Sequence, residues 1–161
     1  MAEPKLRTDQ GFAKTYEAYV DMVWHIAIAY LKNQHDAEDA VQETFVRYLK
    51  SKKEFRSEEH KKAWLIVTVT NLCKDQLKHW WKKRTTYEEY QAGVEKLHID
   101  TTLMAVMELP DKYKTVIYLY YYQGYDSAEI AGILHKPKST IRSNLSKAKQ
   151  LLKEMIGGEL E

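Results

Sequence analysis

Apolar residues recur along this chain at three- and four-residue steps, the spacing that lines up one face of an α-helix. Between residues 12 and 33 the recurring set is Tyr16, Tyr19, Val20, Val23, Ile26, Ala27 and Tyr30, which predicts a first helix. Asp36 then reads as a helix N-cap, with Asp39 three residues on. In the helix that follows, Ala37, Ala40, Val41, Thr44, Phe45, Tyr48 and Leu49 form the inward stripe, which turns Asp39, Gln42, Glu43 and Val46 outward together. The next stretch sets two rules against each other. "LIVTVT", residues 65–70, is β-branched and has the propensity of a strand. Yet Ile66, Val69, Cys73, Leu77 and Trp80 keep helical spacing through and beyond it. One helix is therefore expected from about Glu59 to Lys83, with packing overriding a weak local preference. Its other face carries Trp64, Thr68, Asn71, Lys74, Asp75, Lys78 and Lys82.

From Thr85 to Asp100 the periodicity fades. It returns with a short helix near Thr101–Glu108 and a longer one with Pro110 in its first turn and Gly124 at its C-terminal cap. Tyr113, Val116, Ile117, Tyr120 and Tyr121 define the inner face of the longer helix; these rings are expected to pack in a small core with hydroxyls at its rim. Asp126 and Glu129 form a capping box for a helix ending near Leu134. After a turn from His135 to Lys138, Ser139 caps a last helix with Ile141, Leu145, Ala148 and Leu152 facing inward. Two short helices, a tight turn and a basic outer face describe a helix-turn-helix. The expected fold class is all-α: two small helical domains, residues 1–84 and 101–161, joined by a linker over 85–100, the second being the helix-turn-helix domain.

Composition agrees with this and narrows the chemistry. At 161 residues, 44% hydrophobic and 30% charged, the chain is globular and large enough for one domain or two small ones. Its single cysteine, Cys73, excludes an internal disulfide and fits a reducing compartment. The N-terminal "MAEPKLRTDQ" lacks the apolar core of a signal peptide, and no apolar run is long enough to cross a bilayer, so a cytoplasmic location is expected. With the chain ending at Glu161, no appended regulatory module is expected.

The net charge of +2 matters less than where the charges lie. From Lys136 to Lys153 there is no acidic residue; Lys138, Arg142, Lys147 and Lys149 fall on or beside the outer face, with Ser143, Asn144 and Ser146 among them. Such a face neutralises phosphates and reaches base edges in the major groove. Enzymatic chemistry finds no footing. There is no glycine-rich phosphate loop, no HExxH and no paired CxxC, and the six histidines (25, 35, 60, 79, 98 and 135) lack metal-ligand spacing. Cys73 sits on an apolar stripe as inert packing. No metal, cofactor or catalytic residue is expected. Asp36 and Glu38 sit at a helix N-terminus, where the dipole favours carboxylates. Asp39, Gln42 and Glu43 remain as an outward patch with no metal or substrate to serve. On these grounds alone a free-standing, dimeric operator-binding regulator stays open.

The ordered motifs go further. "DAEDAVQETFVRYL" resembles the polymerase-binding helix of bacterial RNA polymerase sigma factors of the extracytoplasmic-function group. "AWLIVTVTNLCKDQLKHWWKKR" resembles the segment after it, which engages the −10 promoter element. "LPDKYKTVIYLYYYQGYDSAEIAGILHKPKSTIRSNLSKAKQLL" resembles the C-terminal domain that reads the −35 element, and the resemblance spans about Thr15 to Met155. It implies a non-catalytic initiation subunit whose partners are core RNA polymerase and promoter DNA, and which in many relatives is held by an anti-sigma factor. Asp39, Gln42 and Glu43 match positions that dock on the clamp helices of the polymerase's largest subunit. Phe55 and Asn71 match positions lining a pocket for a base flipped from the non-template strand, with Thr68 one turn before Asn71. Lys74, Lys78 and Lys82 would attract phosphates, Trp80 would pack on its apolar stripe, and Trp81 would stack or pack. Arg142, Ser143, Ser146 and Lys147 match base- and phosphate-contacting positions, joined by Lys138, Ser139 and Thr140 at the start of the same helix. Glu88, Glu89 and Glu95 fit in kind the acidic connector such factors thread toward the active-site cleft. The regulator reading leaves the Asp39–Gln42–Glu43 patch without a purpose.

Overall fold

The computed structural model describes residues 9–80 and 100–157, in which all regular structure is helical. In chain order the helices are α1 (Asp9–Leu31), α2 (Gln34–Lys50), α3 (Glu58–Trp80), α4 (Thr101–Met107), α5 (Asp111–Tyr122), α6 (Ser127–Leu134) and α7 (Lys138–Ile156). None of them is long and apolar enough to cross a membrane. The helices α1, α2 and α3 pack on one another, and α7 closes the second group against α4, α5 and α6. The two groups also touch: α1 lies against α4 and α5, and α3 against α6.

"LIVTVT" is helical, with Leu65, Ile66 and Val69 wholly buried. The helix penalty of a β-branched residue is at most about 0.7 kcal/mol. Burying a Val, Leu or Ile side chain returns about 1.5–3 kcal/mol, so packing decides. The α2 N-cap differs from the sequence expectation. Leu31 ends α1, Lys32 takes a left-handed φ of 58°, and Asn33 follows in extended conformation with its side chain accepting from the Asp36 amide at 3.0 Å. Asn33, not Asp36, is therefore the cap; Asp36 lies in the first turn, where partial burial pushes its carboxyl above the usual value. Tyr16 is also less buried than its stripe implied, 41% exposed, with its ring packed edge-on against Phe45 at 4.9 Å.

Three corrections fall in the second half. Pro110 stands at the N-cap of α5, just outside the first turn, and Asp111 opens the helix. Tyr113 through Leu119 are all buried, whereas Tyr120 and Tyr121 are only partly covered. The reason is that α5 has two covered sides, one toward α7 and one toward α1, so no single stripe describes it. Ser139 does not cap α7: the helix starts at Lys138 after Pro137, with no side-chain capping bond. The Asp126–Glu129 capping box is present in both directions, at 2.8 and 3.1 Å. His135 closes α6 in the left-handed region (φ 54°), and the Lys136 amide donates to the Ala131 carbonyl at 3.1 Å, which sharpens the turn into α7.

Candidate functional site

The outer face of α2 follows from its stripe. Ala37, Ala40, Val41, Thr44, Phe45 and Tyr48 are buried, which leaves Asp39, Gln42, Glu43 and Val46 exposed in a row. Asp39 Oδ2 lies 3.5 Å from His35 Nε2, and Arg47 Nε donates to Glu43 Oε1 at 3.1 Å. Exposed pairs one helical turn apart are worth about 0.3–0.5 kcal/mol, so cations of a docking partner can replace them at little cost. His35, Asp36 and Asp39 each bring one ligand atom within 4.8 Å of the others. Water competes strongly there, since the His35 and Asp39 side chains are 82% and 58% exposed.

On α7 the buried residues are Ile141, Leu145, Ala148 and Leu152. Lys138, Ser139, Thr140, Arg142, Ser143, Ser146 and Lys147 are all exposed on the rest of the helix, as a duplex-binding face requires. Lys149 behaves differently: its Nζ sits 4.0 Å from the Tyr120 ring centroid, where it serves packing between α7 and α5.

The residues expected at the −10 element separate into two places. Phe55 packs at the start of α3, with ring centroids 5.3 Å from His60, 5.8 Å from Trp64 and 6.1 Å from Tyr48. The loop before it is fixed locally. Ser57 Oγ accepts from the His60 amide and His60 Nδ1 accepts from the Arg56 amide, both at 3.1 Å. Asn71 lies two helical turns beyond Trp64, roughly 10 Å along the axis, and faces the second half of the chain. With Lys74, Tyr30, Thr70, Thr115 and Lys136 it helps line a cavity of about 110 Å3. Burial, and then the charge of Lys136, lowers the pKa of Lys74. Thr68 is half-buried and Lys78 exposed. Lys82, Trp81, Glu88, Glu89, Glu95 and the Trp80 side chain lie outside the described residues.

What the sequence reading missed is the junction between α1, α3 and α5. Tyr30 and Lys114 are each 2% exposed, and Thr70 and Thr115 each 4%. No buried side-chain nitrogen or oxygen among the described residues lacks a partner. Lys114 Nζ reaches Asp111 Oδ1 at 3.2 Å and lies 5.5 Å from the Tyr30 ring centroid; burial lowers its pKa to about 8. The signal was present in "DKYKTVIYLYYY", which is apolar or aromatic on more than one face and so must be covered on more than one side.

An acidic exposed helix on one three-helix group, joined to a helix-turn-helix with an open basic face, defines a two-part, all-helical DNA-binding protein built to dock on a second protein. Residues 15–83 match the family "Sigma-70 region 2" and residues 100–152 match "Sigma-70, region 4". Two relatives come from Bacillus subtilis. The sigma factor SigV is 33% identical over 84% of this chain and 85% of its own length. The extracytoplasmic-function sigma factor SigW is 27% identical over 91% and 89%. The fold is similar to that of the sigma factor RpoE of Bartonella quintana, solved in complex with the anti-sigma factor NepR, with a TM-score of 0.71 and 21% identity over 94% of this chain and 99% of that one. The chain belongs to the sigma-70 family of RNA polymerase sigma factors, in its extracytoplasmic-function group. It functions with core RNA polymerase and promoter DNA in promoter-specific initiation, and nothing supports the free-standing regulator.

Proposed function

We propose the following division of labour among these residues. Asp39, Gln42 and Glu43 on α2 dock on basic side chains of core polymerase, steering association and fixing register more than supplying net affinity. Phe55, Thr68, Asn71, Lys74, Lys78 and Lys82 receive the opened −10 strand, with the lysines on phosphates and the Phe55 and Asn71 region on an extruded base. Lys138, Ser139, Thr140, Arg142, Ser143, Ser146 and Lys147 engage the −35 duplex, and Arg142 makes the bidentate guanine contact. The boundaries 1–84, 85–100 and 101–161 separate these tasks. The protein works in the cytoplasm, catalyses nothing itself and needs no cofactor. An anti-sigma partner is part of the reading, since the Bartonella quintana factor of the same fold was solved with one.

The observation that carries the assignment is the unbroken exposure of Asp39, Gln42 and Glu43 on a helix whose opposite face is wholly committed to the core. It is tested by the affinity of the purified protein for bacterial core polymerase, wild type beside the Asp39/Gln42/Glu43 triple alanine variant. A loss of tenfold or more with helicity unchanged is expected. Equal affinity in the two proteins would remove the dock from α2.

A further inference from the structure

Helix α3 is entered through "RSEEH", residues 56–60, which has the spacing of a capping box with histidine where glutamate or glutamine is usual. Two reciprocal bonds are present, one of them shifted by a residue. Ser57 Oγ accepts from the His60 amide at 3.1 Å, and the Ser57 carbonyl accepts from the Lys61 amide at the same distance. His60 Nδ1 reaches back past Ser57 and accepts from the Arg56 amide at 3.1 Å. That amide belongs to the planar peptide unit that also carries the Phe55 carbonyl, so the bond fixes the main chain on the C-terminal side of Phe55. The same imidazole stands edge-on to the Phe55 ring, with 5.3 Å between centroids and 74° between planes. His60 thus holds Phe55 twice, by its main chain and by its ring.

The surroundings are anchored by other means. Tyr19 Oη on α1 donates to Glu58 Oε2 at 2.8 Å and ties down the first turn of α3, while the Lys53 amide donates to Ser51 Oγ at 3.1 Å at the far end of the loop. What sets His60 apart is that its acceptor can be lost. An imidazole accepts at Nδ1 only when neutral, with its proton on Nε2; once Nδ1 is protonated it is a donor facing another donor. A glutamate or glutamine in its place would accept throughout the neutral range. Both charges that act on the ring, Arg56 and Lys53 from the loop, are positive. The nearby carboxylates are engaged elsewhere, Glu58 by Tyr19 and Lys61, and Glu59 by Tyr125. Partial burial, and then Arg56 and Lys53, lower the His60 pKa from its ordinary value of 6.5, so the ring is neutral near pH 7.

We infer that His60 is a positioning residue for the −10 strand: its neutral ring fixes Phe55 and the loop before α3 in the geometry that receives a base, and protonation releases that loop. The inference rests on the functional reading of Phe55 given above, but the pinning of the loop is measurable without DNA. When the loop opens, His60 regains its ordinary value of 6.5 and binds a proton more readily than in the pinned form. The pinned form is therefore fully favoured above pH 6.5 and loses ground as the pH falls below it. Two variants of the full chain separate the parts of this role. His60→Asn keeps an acceptor close to the Nδ1 position and does not titrate, whereas His60→Leu offers none.

In the free protein, 1H–15N spectra of the imidazole should show the Nε2–H tautomer and a titration midpoint below 6.5. Protection of the Arg56 amide against exchange, relative to an unstructured peptide at the same pH, should be lost over the same titration and kept in His60→Asn. Holoenzyme formed with each protein is then given a fluorescent single-stranded DNA that the wild-type holoenzyme selects from a random pool, at pH 7.5 and at pH 5.5. Wild-type affinity should fall by about threefold to tenfold at the lower pH, the worth of one hydrogen bond. His60→Asn should match wild type at pH 7.5 and change little, and His60→Leu should bind weakly at both. A midpoint at or above 6.5, an Arg56 amide indifferent to the ring, or equal pH dependence in wild type and His60→Asn overturns the inference. Phe55→Ala tells the two readings apart. If it binds the DNA as wild type does, the functional reading of Phe55 fails, and the tautomer and the Arg56 exchange still decide whether His60 holds the loop.

Discussion

The helix α7 offers solvent the whole row from Lys138 to Lys147 that is assigned to the −35 element, while α3 leaves Asn71 exposed at a cavity shared with the second half of the same chain and half-buries Lys74. Both helices are amphipathic in the same sense, with a fully buried stripe and a polar remainder. The difference lies in what covers the remainder. On α7 the row assigned to the −35 element stays open, while Lys149 beyond it is drawn onto the Tyr120 ring; on α3, hydroxyls are paired with the second half and a lysine is brought near another lysine. A polar helix face is thus no guide by itself to whether the face is free.

The largest expected effect sharpens the open side of this contrast. Arg142→Ala should cost about 1–3 kcal/mol of discrimination between a matched and an altered −35 element. Competition binding by holoenzyme measures it; unchanged preference would mean that α7 holds phosphates without reading bases.

The covered side is tested through Lys114, whose amine is buried beside Tyr30 and whose partner Asp111 is exposed. Lys114→Met keeps the volume, removes the buried cation and leaves Asp111 solvated, so it should stabilise the chain by about 1–2 kcal/mol, within the range for replacing buried charges by apolar groups. A fall in Tm on that substitution would show that the amine stabilises the junction.

A pH series separates the cause. Burial lowers the Lys114 pKa from 10.5 to about 8, so below about pH 8 both states hold the proton and the term is flat. Between about pH 8 and 10.5 the unfolded chain still binds a proton that the folded chain has released, so stability from this group rises with pH. Cys73, pushed up to about 12 by burial, and Tyr118, also raised to about 12, act in the opposite sense once their unfolded forms ionise. The quantity to follow is therefore the difference between wild type and Lys114→Met. That difference should narrow as the pH climbs from 8 to 10; a constant gap would refute the burial argument.

The smallest effect divides α7 itself. Lys147→Ala should reduce the salt slope of DNA binding by about 0.9, the value of one phosphate contact. Lys149→Ala should leave the slope alone and lower stability by about 0.5–1 kcal/mol through its lost ring contact. Equal salt slopes in the two variants would erase the distinction between a solvent-facing and a packed lysine.

Much of this fold is legible because its determinants are local. The α2 and α7 stripes and the Asp126–Glu129 capping box each depend on residues within a turn or two of one another, and all but Leu49, which is only partly buried, were found where periodicity and capping rules put them. Asn33 was missed as a cap because its role depends on Lys32 adopting a left-handed conformation. Ser139 was mistaken for one because Pro137 starts the helix a residue earlier than a side-chain cap would. The outward patch on α2 and the basic face of α7 were readable from charge and spacing. The positions of Phe55 and Asn71 were not, since a loop packed on Tyr48 and the cavity shared by Asn71 with α5 are set by contacts distant in sequence. Thr70 and Thr115, small and neutral, carry no local mark of their partnership.

The contacts joining the two helical groups need not be strong to hold. Two modules on one short connection meet at an effective concentration on the order of millimolar. An interaction too weak to hold separate domains together in dilute solution then keeps the halves joined for much of the time. A ligand that needs them apart binds with its intrinsic affinity reduced by the open fraction, so a chain open one time in a hundred costs its partner roughly 100-fold. Any group that strengthens or loosens the hydrogen-bonded line from Thr70 through Thr115 and Tyr30 to Asp111 shifts that fraction without touching Asp39, Gln42 or Glu43 on α2.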